Sequence, residues 1–187
     1  MSNEAAAGNT TSTLGHLALG LTLLAFGLGS TGVIDHVGSA DAAGLATWVG
    51  GVALFLVGLL ALRAGNSPEG TAYSALGAFW FTWGTGVGDS GSAEAAGLFL
   101  LLWALLALTL TMASGGSGLF GQGVYGLLFV ALLLMGIGAL ADNSGLGKAG
   151  GWIAAVAGLA AWYGATAAVA GWPTSVARSR RGAAAAS

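Results

Sequence analysis

Charged residues punctuate this chain rather than cover it, and the stretches between them are long and apolar. There are 30 uncharged residues between Glu4 and Asp35, 21 between Asp41 and Arg63, 19 between Glu69 and Asp89, and 29 between Lys148 and Arg178. Each gap has room for one membrane-spanning helix, which takes about 20 apolar residues. The gap from Glu94 to Asp142 has 47 uncharged residues, interrupted by Ser114-Gly115-Gly116-Ser117-Gly118. Freed backbone in that run favours a turn, so this gap holds two helices. The pattern predicts spans at roughly 13–32, 42–63, 69–88, 92–113, 119–140 and 147–170. The apolar runs are continuous and lack period-two alternation, which indicates helices and not a barrel. The expected fold is an all-α integral membrane protein with six transmembrane helices, residues 12–172.

Two spacings recur among these spans. Leu19/Gly27/Gly29, Leu76/Gly84/Gly86 and Leu128/Gly136/Gly138 repeat in the odd helices. In the even helices, Gly51/Gly58, Gly97/Ala104 and Gly151/Gly158 place small residues seven apart, two turns along one face. Small faces let helix backbones approach closely in lipid. The repeats predict a pseudo-threefold arrangement of helix hairpins around a central path. Accidental coincidence is the competing explanation, because 35 of the 187 residues are glycine.

Composition narrows the class further. The chain is 56% hydrophobic and 6% charged with a mean hydropathy of +0.83, too little charge to clothe a water-soluble domain. With an even number of spans both termini share a side. If that side is cytoplasmic, Arg63, Arg178, Arg180 and Arg181 lie inside and only Lys148 outside, as the positive-inside bias requires. A multi-pass plasma-membrane protein with cytoplasmic termini is expected. Residues 1–11 and the basic, Ala-rich tail 173–187 read as disordered, the tail being suited to anionic headgroups. No cleavable signal is expected, since no basic residue precedes the first apolar run.

The search for chemistry returns few candidates. The spans contain no carboxylate pair, histidine cluster or nucleophile–base arrangement, and the chain has no cysteine. No enzymatic activity, metal, cofactor or nucleic-acid partner is expected. His16, one turn inside the first span, is a candidate pH-sensitive gate, because imidazole changes charge around neutrality. An interfacial histidine meeting water or headgroups is the plainer alternative. Thr71, Tyr73 and Ser74 stand at the start of the third helix, where free N–H groups and the helix dipole favour an anion. With Gly77 and Gln122 they are the candidate substrate path, although Ser and Thr in helices also bond their own backbone at i−4. Trp48, Trp152 and Trp172 lie near span ends, as an aromatic belt requires.

Gly50-Gly51 to Gly58, Gly65-Asn66, Thr71-Ala72 and Gly77 to Phe79-Trp80 carry a resemblance. The segment is similar to that of the acetate uptake transporter family, the SatP/YaaH-like acetate/succinate transporters, which runs GG-x6-G, GN, TA, G-x-FW. Gly151-Trp152 with Gly158, Ala161 and Tyr163 resembles the family's last helix. The chain looks like a divergent member: Ser12-Thr13-Leu14-Gly15-His16-Leu17 stands where the family has NPAPLGL, and Leu54, Ala61 and Ala139 replace its Gln, Glu and Asn. The resemblance implies a six-helix protomer with its own pore, a homo-hexamer, and passage of acetate and related short carboxylates. It also implies a hydrophobic constriction, at positions that fall on Leu19, Leu76 and Leu128.

A leucine ring cannot hydrogen-bond a carboxylate, and a bare charge in an apolar neck costs several kcal/mol or more. The expected function is therefore a membrane channel or transporter for acetate and other small monocarboxylates that cross partly hydrated or with a proton. A channel for a small neutral solute such as ammonia or urea, or a non-conducting membrane scaffold, are the alternatives.

Overall fold

The computed structural model describes residues 2–37, 42, 44–87, 90–115 and 119–172, and no strand occurs among them. Six helical stretches follow one another. They are α1 (Ser2–Thr31), α2 (Ala46–Arg63), α3 (Ser67–Val87), α4 (Ala93–Ala113), α5 (Leu119–Leu140) and α6 (Ser144–Ala170). The first part of α2, Ala46–Ala53, and the last part of α3, Trp83–Val87, are wound as π-helix and touch each other. Among the described residues five helices are long and apolar enough to cross a membrane, all except α3. That helix carries Ser67, Pro68, Glu69, Thr71 and Ser74 in its first half and is correspondingly more polar.

Local chemistry sets the helix ends. The side chains of Asn66, Ser92 and Asn143 accept from the backbone N–H groups of Glu69, Ala95 and Leu146, satisfying donors that a helix start leaves free. Gly65, between α2 and α3, and Gly171, closing α6, adopt left-handed backbone at φ 80° and 67°, which glycine reaches without a steric penalty. α1 begins at Ser2, so residues 2–11, expected to be unstructured, are helical. Ala5, Ala6 and Ala7 are strong helix formers and extend the spanning helix backwards. The expected disordered tail, 173–187, lies outside the described residues.

The helices form a closed ring in which each meets its sequence neighbours and α6 returns to α1. Four seams are tight because glycine removes the side chain between backbones, among them α5–α6, where a Cβ at Gly150 would be 2.8 Å from the Ala131 oxygen and 3.1 Å from the Met135 nitrogen. On α1, a Cβ at Gly27 would sit 2.5 Å from the Ala155 nitrogen and 2.6 Å from the Gly151 oxygen of α6, and Gly158 faces Leu24 and Gly20. On α2, Gly51 faces the Phe81 backbone and Gly58 faces Ser74, both on α3. On α4, Gly97 faces Leu140 and the Gly136 oxygen of α5. The even-helix small residues thus each meet an odd helix. The α3–α4 seam is different: it is filled by aromatic rings, with Phe79 stacked on Phe99 at 5.5 Å and 5.4 Å from Trp103.

This division decides what fills the interior. Among the described residues, the twelve largest fully buried side chains all come from α1, α3 and α5, except Leu54. The even helices turn bulk outward: Leu56 and Leu60 on α2, Leu98, Leu102 and Leu105 on α4, and Val156 and Leu159 on α6 are all exposed. An apolar outer face of this kind suits lipid. Trp48, Trp152 and Trp172, at helix ends, are exposed at 68%, 49% and 52%.

Gly27→Ala is expected to lower stability by about 2 kcal/mol, because the added methyl meets backbone that can only yield by separating α1 from α6. Gly123→Ala, where a Cβ would meet nothing within 4 Å, should be neutral or stabilise by about 0.5 kcal/mol. Unfolding in mild detergent compares the two.

Candidate functional site: two vestibules and an apolar core

A cavity opens at each end of the ring. The near one, about 560 Å3, lies where the odd helices begin and is lined by His16, Asn66, Glu69, Thr71, Thr109, Ser114 and Tyr125 among others. Among its lining residues Glu69 is the sole formal charge. The far one, about 570 Å3, is lined by Ser30, Trp83, Met135, Asp142, Asn143, Ser144 and Lys148 among others. Ten residues separate Leu110 from Leu100 on α4, which line the near and far cavities, a rise of roughly 15 Å.

Between the cavities the interior is apolar. Leu19, Leu76 and Leu128 are 0%, 1% and 0% exposed and belong to one continuous buried cluster with Leu23, Phe26, Phe79 and Trp80. Phe26 lies edge-on to Trp80 at 5.1 Å and to Trp83 at 5.4 Å, so the cluster is aromatic towards the far side. Trp80 and Trp83 are buried in packing, and Trp83 also borders the far cavity.

The floor of the near vestibule is a hydrogen-bonded group. The Tyr73 hydroxyl donates to the Ser12 carbonyl at 3.1 Å and lies 2.7 Å from His16 Nδ1. His16 Nδ1 is itself 2.9 Å from the same Ser12 carbonyl, a contact that is favourable only when Nδ1 bears the hydrogen. The His16 tautomer sets which way these bonds run: an Nδ1–H donates to the Ser12 carbonyl, whereas an unprotonated Nδ1 accepts from the Tyr73 hydroxyl. Ser12 Oγ donates to Glu69 Oε1 at 2.9 Å, and Glu69 Oε2 is buried with no hydrogen-bond partner. The Tyr73 ring passes over α1 at Gly15, where a side chain would collide with it.

The candidate path residues are thus divided. His16 and Thr71 line the near vestibule, and Tyr73 lies beneath it, bonded to His16. Ser74 and Gly77 face α2 instead: Ser74 packs on Gly58, and a Cβ at Gly77 would be 2.7 Å from the Phe55 nitrogen. Gln122 is exposed and donates to the Thr111 carbonyl at 3.3 Å, tying the start of α5 to the end of α4. Thr22, Thr109 and Thr111 donate to carbonyls four residues back, so these hydroxyls serve their own helices. Ser12 and Glu69 were not among the candidates. The Asn66-x-x-Glu69 spacing marks Glu69 as a residue of the first helical turn, but its partner lies 57 residues away in sequence.

Removing the phenolic oxygen by Tyr73→Phe is expected to cost about 1 kcal/mol, since its bonds to His16 and Ser12 are lost without leaving the ring space empty. Detergent unfolding measures it. A loss below a few tenths of a kcal/mol would contradict the assigned bonds.

Comparison with known proteins places this architecture. Residues 2–180 match the profile of the GPR1/FUN34/yaaH family. The succinate-acetate/proton symporter SatP of Escherichia coli (strain K12) is 30% identical over 157 residues, covering 80% of this chain and 82% of that one. The ammonia transport outward protein 2 of Saccharomyces cerevisiae is 30% identical over 139 residues, 68% of this chain and 49% of that one. A solved structure of the bacterial acetate channel SatP superposes with a TM-score of 0.78 at 27% identity, covering 86% of this chain and 91% of that one.

Proposed function

The chain belongs to the GPR1/FUN34/yaaH family, and from that premise we propose that it is a membrane channel or transporter for acetate and related small monocarboxylates. The observation that carries this reading is the pair of vestibules at opposite ends of one helix ring, each mostly apolar but carrying a few polar and charged side chains, separated by a buried apolar cluster. A path interrupted only by side chains is one that side-chain motion can open. Leu19, Leu76 and Leu128 form the constriction in this reading, supported by their complete burial in that cluster. The reading assigns no catalytic chemistry to the chain.

The apolar stretch dictates the form of the substrate. Desolvating a carboxylate costs several kcal/mol, whereas a neutral acid leaves water far more readily. The acid therefore crosses protonated, or the ring widens enough to admit its water. A ring of this kind also closes by dewetting.

The remaining features fit the same assignment. In this reading all six helical stretches span the bilayer, α3 with one face packed on α2 and Phe81 exposed on another. Glycine-tight contacts of α6 on α1, α2 on α3 and α4 on α5 support a pseudo-threefold arrangement, and the α5–α6 seam is tight besides. Arg63 at the near end and Lys148 at the far end, with the arginines of the tail, support cytoplasmic termini and a near vestibule that opens inwards. A homo-hexamer is the assembly we assign, with exposed leucines of the even helices available for contact.

A second reading, passage of ammonia, is favoured by one observation: the near vestibule has no Lys or Arg among its lining residues to hold an anion. The similarity to a yeast ammonia transport outward protein agrees with it.

Proteoliposome uptake separates these readings. Labelled acetate should enter faster than into empty vesicles, with a rate that follows the protonated acid as pH is lowered. Ammonia flux without acetate flux would select the second reading, and neither flux would leave a scaffold. Leu76→Trp should reduce acetate flux about tenfold or more by filling the constriction; unchanged flux would remove Leu76 from it.

A further inference from the structure

Glu69 is oddly placed for a structural residue. A carboxylate at a helix start normally turns back to its own capping residue, but here Asn66 caps the Glu69 N–H at 3.4 Å while the Glu69 carboxylate reaches α1. One oxygen accepts from Ser12, and the other is buried without a hydrogen-bond partner beside the near vestibule. A buried acceptor left unmatched is costly, and the cost falls when a donor arrives. The O–H of a small acid entering the adjoining cavity is one such donor.

We propose that Glu69 is the proton-accepting group of the near vestibule, taking the acid proton from a protonated monocarboxylic acid that has crossed the apolar constriction. The inference rests on the acetate reading above and assigns its proton step to a named atom. Glu69 Oε2, buried in the resting geometry, first turns into the vestibule; the substrate O–H bond then breaks as an O–H bond forms at Oε2, and the carboxylate anion departs. Charge is conserved, one carboxyl gaining the proton that the other loses. Glu69 then releases the proton to vestibule water. Run backwards, the same steps load an anion with its proton before it enters the constriction.

The surroundings suit this role. Tyr73 holds His16 Nδ1 and the Ser12 carbonyl, so the group that positions the carboxylate is itself fixed. Around Glu69, α1 presents His16, α3 presents Tyr73 and α5 presents Tyr125. The end of α4 brings Thr109 and Ser114 without a charge, and Arg63 of α2 is exposed in that helix's last turn. No ammonium or guanidinium lines the cavity.

The test uses the full chain in proteoliposomes, with labelled acetate and a pH-reporting dye in the lumen, corrected for empty vesicles. Glu69→Gln keeps an oxygen for Ser12 but cannot carry the proton; it is expected to slow acetate-linked proton flux about tenfold or more and to flatten its pH profile. Glu69→Asp should restore most of the flux and the profile. Ser12→Ala, which loosens the carboxylate but leaves it titratable, should slow flux less than about threefold and keep the profile. A merely structural Glu69 would give the reverse order, with Ser12→Ala and Glu69→Asp more damaging than Glu69→Gln. Wild-type rate and profile in Glu69→Gln overturn the assignment. Failure of the wild-type protein to carry acetate overturns the acetate reading and this inference together, whereas acetate flux in wild type that Glu69→Gln leaves intact overturns this inference alone.

Discussion

Two helices in lipid gain nothing from the hydrophobic effect by meeting, since the chains they leave are as apolar as the side chains they find. What holds this ring together is therefore close contact between backbones, and that contact exists only where Cβ atoms are absent. Gly20 and Gly27 on α1 meet Gly151 and Gly158 on α6 so closely that one helix's carbonyl oxygens face the other's glycine Cα positions. At that range dispersion and weak Cα–H···O contacts, each a fraction of a kcal/mol, accumulate along the whole seam. The rest of the molecule is arranged around these lines of contact.

Fixing the seams fixes the rotation of each helix about its axis, and rotation decides what each helix shows to the interior. With small residues of the even helices committed to seams, the odd helices supply bulk to the centre: Phe26, Tyr73, Phe79, Trp80 and the leucines around them. The interior is consequently closed by large apolar side chains and flanked by polar helix ends. Those ends are wetter because helix termini leave N–H and C=O groups that need partners. An apolar barrier between two cavities that carry polar side chains is thus a direct outcome of where the glycines lie.

Much of this was legible in the chain. Distances between charges located the helices, because in a bilayer charge is confined to the ends. The seven-residue spacing of small side chains in the even helices identified seam-forming faces, and Gly51, Gly58, Gly97, Gly151 and Gly158 occupy them. Buried placement was also legible for Leu19, Leu76 and Leu128. Finer facing was not. Each step along a helix turns it by about 100°, so Tyr73 and Ser74, adjacent in sequence, point to α1 and to α2 respectively. The bond between Ser12 and Glu69 joins residues 57 apart, and no local pattern encodes it. Glu69 read only as a boundary charge for that reason. The helical start of α1 was hidden differently: lack of hydrophobicity at residues 2–11 marks the edge of a span, not the end of a helix.

The outward bulk of the even helices has a consequence for how such a protein can change. Leu98, Leu102 and Leu159 are exposed on helices whose opposite faces do the packing. Substitutions there are free to follow bilayer thickness, lipid composition or a neighbouring subunit while leaving the interior untouched. Substitutions at the buried positions of α1, α3 and α5 alter the centre while leaving the outer surface much as it was. The two faces of the ring can therefore diverge independently, one matched to the membrane a cell happens to have and the other to the solute it needs to move.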